Sequence, residues 1–150
     1  MKHEHIKKYD KNTCWLACIE SFLKSQGKIL TQQEMIDAHQ EICAFYPNQH
    51  GLVPTGKEID LCNKLKIQYE EVGTCSCIEN IYQYLDDQHD FILCITFKPD
   101  QMHAVLFDSF DESNNISIMD PDNGYTTLNI GYPEIVEAIV NKLSYTPSPE

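Results

Sequence analysis

Apolar residues recur every three or four positions in the first half of the chain, as they do on one face of an α-helix. The first such run ends near Gly27, which fits the position just past the end of a helix. Its apolar face consists of Trp15, Cys18, Ile19, Phe22 and Leu23. Asn12 or Thr13 is predicted to cap this helix, so Cys14 would lie in its first turn.

Three further helix starts place a hydroxyl residue three positions before a glutamate, which is the pattern of a capping box. The sequences are TQQE at 31–34, TGKE at 55–58 and SCIE at 76–79. Apolar residues follow each of them at helical spacing. The pattern therefore predicts helices at 32–45, 56–65 and 77–86.

The second half of the chain is rich in β-branched and aromatic residues. FILCITF at 91–97 is a continuous apolar run, typical of a central strand that is covered on both faces. Other strands are predicted at 67–72, 103–110, 115–120 and 125–130. A closing helix is predicted from Pro133, since a helical stripe follows it: Ile135, Val136, Ile139, Val140 and Leu143. The order of elements predicts an α+β fold in one domain, 1–150, with a loose tail at 145–150.

Composition narrows the classes of function. The 150 residues include 11 lysines and arginines against 23 aspartates and glutamates, for a net charge of −12. This acidity argues against nucleic acid and anionic membranes as partners, and weakly favours basic or neutral peptides. The sequence has neither an apolar run of ~18 residues nor a visible secretory signal. We expect no membrane insertion, and a protein that is cytoplasmic or exported by a route without a classical signal peptide; the oligomeric state stays open.

The seven cysteines are expected to be free thiols, because their number is odd and no signal peptide is visible. Cys94, inside the apolar run at 91–97, is expected in the core. Cys75 and Cys77 form a C-S-C pair without the second pair of ligands that zinc sites use. No metal and no cofactor are predicted.

Cys14 differs from the other cysteines because it opens a helix. The free amides and the positive end of the helix dipole favour its thiolate, and a thiolate nucleophile needs an imidazole partner. His103 begins the apolar strand HAVLF, whereas His3 and His5 lie in an N-terminal segment expected to be loose. Asp120 ends the next strand, where it could hold one imidazole nitrogen and leave the other facing Cys14. Each residue also has an ordinary structural alternative, as a core thiol, a hydrogen-bonding histidine or a turn aspartate.

These residues and their surroundings resemble the papain-like cysteine peptidases. The closer likeness is to the compact bacterial branch that includes double-glycine leader peptidases and related effector proteases. NTCWLACIESFL, MHAVLFDSF and ISIMDPDNG carry the resemblance. It implies that Cys14 is the nucleophile, His103 the general base and acid, and Asp120 the residue that orients the imidazole. Trp15 would form a wall of the cleft, with an anchor of the helix in the core as its alternative role.

One position departs from the family pattern. The family has a glutamine shortly before the nucleophile, whose side-chain amide helps to form the oxyanion hole, and here that position is Lys8. Asn12 is the nearest side-chain amide, and its alternative role is the helix cap. Lys8 and Asn12 are therefore the candidates for the oxyanion hole, beside backbone amides near Cys14.

The resemblance implies a papain-like fold, with N-terminal helices packed on a mostly antiparallel sheet. It also implies a cysteine peptidase that forms a thioester with a peptide or protein substrate. Two other functions stay open. The same acyl group could pass to an amine, which would make the protein an acyltransferase or a crosslinking enzyme. The chain could also be a peptidase-like binding module with weak catalysis, for which Lys8 is the only support.

Overall fold

The computed structural model describes residues 2–98, 101–128 and 134–146. Its helices are α1 (Cys14–Ser25), α2 (Gln32–Ala38), α3 (Gln40–Cys43), α4 (Glu58–Lys64) and α5 (Ile78–Ile81), with a short 3-10 helix at Tyr82–Tyr84. Its strands are β1 (Ile67–Cys75), β2 (Asp90–Phe97), β3 (Gln101–Phe110), β4 (Ile116–Asp120), β5 (Gly124–Thr127) and β6 (Ile135–Tyr145). None of the helices in these described ranges has the length and apolar character needed to cross a lipid bilayer.

The strands of the described residues form one antiparallel sheet in the order β1-β6-β2-β3-β4-β5. Alternate side chains of the central strands point to opposite faces, so the sheet separates two apolar clusters. The cluster on the first face is closed by α1, α2, α3 and α4. The cluster on the second face includes Ile81, the last residue of α5, and Leu85, which follows the 3-10 helix. This mixed architecture confirms the predicted α+β class.

The closing helix predicted from Pro133 is wrong. Residues 135–145 form strand β6, which pairs with β1 on one side and with β2 on the other. Isoleucine and valine fit a strand at least as well as a helix, and hydrogen bonding to two neighbours outweighs the local helical spacing. Tyr145 belongs to this strand, so the predicted tail at 145–150 is also too long at its start. Pro133 and residues 147–150 lie outside the described residues.

The other predicted elements are present with shifted ends. The helix predicted at 32–45 is divided at His39 into α2 and α3. The helix predicted at 77–86 is α-helical only as far as Ile81. The strand predicted at 125–130 corresponds to β5, and its last two predicted residues lie outside the described ranges.

One of the three predicted capping boxes forms. Thr31 accepts a hydrogen bond from the Glu34 backbone, and the Glu34 carboxylate accepts one from the Thr31 backbone. TGKE and SCIE do not form the box: α4 and α5 are preceded by Lys57 and Cys77, neither of which makes a side-chain cap bond. A hydroxyl three residues before a glutamate is thus too weak a signal by itself, because both helices begin later than the pattern predicts and the hydroxyl residue is not at the N-cap position.

The N-terminal segment is held in place, contrary to expectation. His3 is buried, and its Nε2 lies 2.8 Å from Oδ1 of Asp90. Its backbone N–H donates to the buried carboxylate of Asp108 at 2.8 Å, and the Tyr125 hydroxyl donates to its carbonyl at 2.6 Å. Further along, the N–H of Lys8 donates to the carbonyl of Pro121 at 3.2 Å. The segment therefore runs across β2 and β3 to the turn after β4.

A close contact at Gly51 generates a prediction about stability. Gly51 has φ +85°, and a Cβ there would lie 2.3 Å from Cγ2 of Thr13. Gly51→Ala should combine left-handed backbone strain of ~1–2 kcal/mol with overpacking of ~1–3 kcal/mol. We expect the free energy of unfolding to fall by about 2–4 kcal/mol in chemical denaturation.

Gly56→Ala is the matched control, because Gly56 has φ +90° and a Cβ there would meet no atom within 4 Å. It should cost the backbone strain alone. Equal losses in the two variants would contradict the close approach of this loop to Thr13.

Candidate active site

The start of α1 is fixed by a closed turn. Thr13 is the N-cap residue, and its hydroxyl accepts from the N–H of Asp10 at 2.9 Å and donates to the Asp10 carbonyl at 3.0 Å. The Thr13 side chain makes no capping bond to the helix itself. The first amides of α1 therefore stay free of a side-chain cap beside Cys14, where they favour negative charge.

The packing of α1 on β3 brings Cys14 to His103. The thiol of Cys18, one turn after Cys14, lies 3.6 Å from the carbonyl oxygen of Ala104. His103 precedes Ala104 near the start of β3, the strand on which α1 packs. Cys14 and His103 consequently line the same cleft, and a hydrogen bond between them contributes to the pKa shift of each.

His103 is held from its other side by Asp120. Leu106 of β3 lies opposite Met119 of β4, so the start of β3 and the end of β4 lie side by side. There, Nε2 of His103 lies 2.7 Å from Oδ1 of Asp120, whose side chain is fully buried. Because Asp120 holds Nε2, the nitrogen left to face Cys14 is Nδ1.

The turn after β4 fixes the orientation of Asp120. Its Oδ1 also accepts the backbone N–H of Asp122 at 2.7 Å, and its Oδ2 accepts the side-chain amide of Asn123 at 3.2 Å. Hydrogen bonds of this kind stabilise a buried carboxylate in its charged form. Asp120 is therefore fixed by the same turn that ends the strand.

The pKa values of Cys14 and His103 move towards each other. Burial raises the pKa of Cys14, but hydrogen bonds from His103 and from the backbone at Ala104 and Trp15, together with the positive charge of His103, outweigh it and hold the pKa below the usual 9.0. Burial lowers the pKa of His103, but the hydrogen bonds and negative charges of Asp120 and Cys14 raise it to about 9. The contact thus favours a thiolate–imidazolium pair near neutral pH.

The other cysteines with a shifted pKa are shifted upward. Burial is the main cause in each case, and it raises the pKa of Cys43 to about 11 and that of Cys94 to about 12. The pKa values of Cys18, Cys62 and Cys75 are raised as well. Cys14 is therefore distinguished from these thiols by its environment.

Lys8 is paired with Asp122 and does not line the cleft that holds Cys14. Its ammonium lies 2.6 Å from Oδ1 of Asp122, and Oδ2 of Asp122 lies 3.8 Å from Nε2 of His103. The ligand atoms of His103, Asp120 and Asp122 lie within 4.8 Å of one another, a spacing that could hold a metal ion. The Lys8 ammonium already neutralises one of these carboxylates, so a cation would have to compete with it.

Cys14 and His103 lie in a cleft of about 360 Å³. Its walls are mainly apolar and include Trp15, Leu52, Val53, Pro54, Ile95 and Met102. Asn12 also lines this cleft, whereas Lys8 does not. Thr13, and not Asn12, is the N-cap residue of α1, and within the described ranges the Asn12 side chain makes no hydrogen bond. Its amide is therefore free to bond a group in the cleft.

Trp15 has both of the positions considered for it. It lines the cleft, and it is also buried in the first apolar cluster. Its Nε1–H donates to the Tyr69 hydroxyl at 3.3 Å, and the two rings meet edge to face at 5.8 Å. The wall beside Cys14 is thus anchored to β1 by a hydrogen bond.

Glu58 also lines the cleft, although the sequence did not predict it as a site residue. The pattern TGKE predicts that Glu58 belongs to a capping box, but its carboxylate instead accepts the N–H of Gly56 at 2.8 Å. The run LVP at 52–54 contributes much of the apolar wall. Its signal was three apolar residues in a loop, a place where burial against a cleft explains them better than a helix or strand.

The sequence matches no family model and no curated protein. The structure is similar to the peptidase domain of ComA from Streptococcus, a bifunctional ABC transporter involved in a quorum-sensing pathway. The TM-score is 0.66, with 15% sequence identity, over 95% of this chain and 98% of that domain. The likeness confirms the predicted papain-like fold.

The contact of His103 with Asp120 generates a prediction about ionisation. In Asp120→Asn an amide replaces the carboxylate and cannot stabilise an imidazolium, so the pKa of His103 should fall from about 9 towards 6.5. The pKa of Cys14 should rise in turn, because its partner loses positive charge. NMR titration of the imidazole and the pH dependence of alkylation would measure the two changes.

Asp122→Asn is the control, since this carboxylate lies 3.8 Å from the imidazole and is already paired with Lys8. It should change the pKa of His103 less. An unchanged His103 pKa in Asp120→Asn would rule out this carboxylate as the main support of the imidazolium.

Proposed function

We propose that this chain is a cysteine peptidase that acts through Cys14, His103 and Asp120. One observation carries the proposal: Cys14 and His103 line the same cleft, and Asp120 holds the imidazole of His103 at 2.7 Å. The pKa of Cys14 is lowered accordingly. A thiolate that lines an apolar cleft is the nucleophile that acyl transfer requires. The papain-like fold supports the proposal, because it is also the fold of the ComA peptidase domain.

The first half of the reaction forms a thioester. The Cys14 thiolate attacks the carbonyl carbon of the peptide bond, and the carbonyl electron pair moves onto the oxygen. As this oxyanion collapses, the C–N bond breaks and His103 gives its proton to the departing amine. The products of this step are an acyl-enzyme on Cys14 and a free peptide with a new N-terminus.

The second half uses the neutral imidazole. His103 takes a proton from water, the resulting hydroxide attacks the thioester carbonyl, and the C–S bond breaks. The thiolate and the imidazolium are restored, and the second peptide leaves as a carboxylic acid. Throughout, Asp120 keeps the proton of Nε2 directed at itself, so that Nδ1 exchanges protons with the reacting groups.

The developing oxyanion needs donors near the sulfur of Cys14. The backbone N–H of Cys14 is one, because it belongs to the uncapped first turn of α1. Asn12 is proposed as the side-chain donor, since its amide lines the cleft and makes no other hydrogen bond within the described residues. Lys8 is less suited, because its ammonium is engaged with Asp122 outside the cleft lining.

The lowered pKa of Cys14 predicts its reactivity. Iodoacetamide near pH 7 should label Cys14 well before Cys75, whose pKa is raised by burial. His103→Ala should slow the labelling of Cys14, because the thiolate loses its cationic partner. Peptide mapping by mass spectrometry would measure both rates. Equal labelling of Cys14 and Cys75 in the unmodified protein would remove the basis for the nucleophile.

The same pKa values predict the pH profile of peptide hydrolysis. The rate should rise with pH through the pKa of Cys14, below 9.0, as the thiolate forms. It should fall as the pH passes about 9, where His103 loses the proton that it donates to the amine. A profile of kcat/KM that kept rising above this pH would be inconsistent with His103 as the general acid.

The oxyanion donor can be identified by substitution. Asn12→Ala should lower kcat by ~10²–10³ without a comparable change in KM, because the lost bond forms mainly in the transition state. Lys8→Met should have a much smaller effect. The opposite order, with Lys8→Met the slower enzyme, would assign the donor to the lysine.

A further inference from the structure

Glu58 carries an unpaired negative charge into the cleft. It is the first residue of α4 and is half-buried, and its Oε2 accepts the backbone N–H of Gly56 at 2.8 Å. None of the ion pairs among the described residues includes Glu58. The carboxylate thus has one oxygen occupied by a neutral donor, and it makes no salt bridge within the described residues.

The charge of Glu58 acts on the interior of the cleft. Burial, and after it the negative charge of Glu58, raises the pKa of the Cys94 thiol to about 12. Cys94 lines the same cleft as Cys14 and lies on β2 opposite Ala104. The carboxylate is therefore close enough to affect groups beside the reacting pair.

The rest of the cleft strengthens this charge. Its walls are mainly apolar, and an apolar wall reduces the screening of a charge that lies against it. Besides the Cys14–His103 pair, the charged residues that line the cleft are Glu58 and the exposed Lys11. A ligand with an aliphatic stem and a cationic end matches this combination, because the stem can lie on the walls while the cation meets the carboxylate.

We propose that Glu58 selects peptides with a lysine or arginine side chain close to the scissile bond. The inference rests on the proposed peptidase function and adds the class of substrate to it. The net charge of −12 acts in the same direction, since it attracts basic peptides towards the protein from a distance. Close selection then comes from a hydrogen-bonded ion pair between the substrate cation and the free oxygen of Glu58.

A structural role for Glu58 must be separated from this one. An acidic residue in the first turn of a helix stabilises the helix, and the bond to Gly56 closes the preceding turn. Glu58→Gln keeps the shape and an acceptor oxygen but removes the charge. Asp60→Asn is the matched control, because Asp60 is exposed in the same turn of α4 and does not line the cleft.

The first experiment compares peptides that differ only in one side chain near the cleavage site: lysine, norleucine or glutamate. The unmodified protein should favour lysine over norleucine by about tenfold in kcat/KM, and glutamate should be the poorest. Glu58→Gln should abolish the preference for lysine, and Glu58→Lys should reverse the order of lysine and glutamate. Asp60→Asn should keep the preference for lysine. Equal cleavage of the lysine and norleucine peptides by the unmodified protein would overturn the proposal.

A second experiment does not require peptide hydrolysis. Methanethiosulfonates with a trimethylammonium-ethyl or a sulfonate-ethyl group react with the Cys14 thiolate, forming a new disulfide and releasing methanesulfinate. The ratio of the cationic to the anionic rate at Cys14, followed by peptide mapping, reports the preference of the cleft for positive charge. This ratio should fall several-fold in Glu58→Gln and stay unchanged in Asp60→Asn.

The two experiments separate failure of the inference from failure of the proposed function. If no peptide is cleaved but the ratio depends on Glu58, the cation site stands and the peptidase proposal fails. If peptides are cleaved but neither preference depends on Glu58, the peptidase proposal stands and the selection of basic side chains is wrong. An equal fall of the ratio in Asp60→Asn would attribute it to net charge and overturn the assignment to Glu58.

Discussion

The contact between α1 and β3 is the constraint on which the candidate site depends. Cys18 lies against the carbonyl of Ala104 at 3.6 Å, with Trp15, Ile19 and Phe22 of the same helix buried in the core. This packing positions the preceding turn of α1, which contains Cys14, beside His103, the residue before Ala104. The position of Cys14 beside His103 is thus set by the hydrophobic core, which is close-packed and deforms little. A residue far from the cleft can change the ionisation of Cys14 if it shifts this helix on this strand.

The imidazole of His103 has two carboxylates near its Nε2, and their environments differ. Asp120 is buried and receives backbone and amide donors from its own turn, so its charge is stabilised locally. Asp122 is more exposed and is neutralised by Lys8, which reaches it from the N-terminal segment. In the peptidase family that the sequence resembles, the position of Lys8 holds the glutamine of the oxyanion hole. Here Lys8 instead pairs with Asp122, on the Nε2 side of the imidazole. Asn12 lines the cleft and Lys8 does not, so Asn12 is the better candidate for the oxyanion donor.

The parts of the fold that sequence could predict are those specified by local signals. Gly27 ends α1 through its positive φ, with the N–H of Lys28 bonding back to Leu23, and this needs only a few neighbouring residues. The pairing of β3 with β4 through a short turn is also local, so Asp120 could be placed near His103. The position of β6 depends on β1 and β2, which lie far away in sequence, and its isoleucines and valines satisfy a helical stripe equally well. His3 was missed for the same reason, because its burial depends on Asp90 and Asp108.

The central place of β6 has a consequence for how the protein is made. During synthesis on the ribosome, β1 and β2 emerge long before residues 135–145, and each leaves an unpaired edge until β6 enters between them. Every other pairing in the sheet joins strands that follow each other directly. Before β6 enters, β1 has no strand partner, whereas β2 to β5 can already pair with one another. Insertion of the last strand is then the step that makes the sheet continuous, and it is the step at which exposed edges invite pairing with another chain.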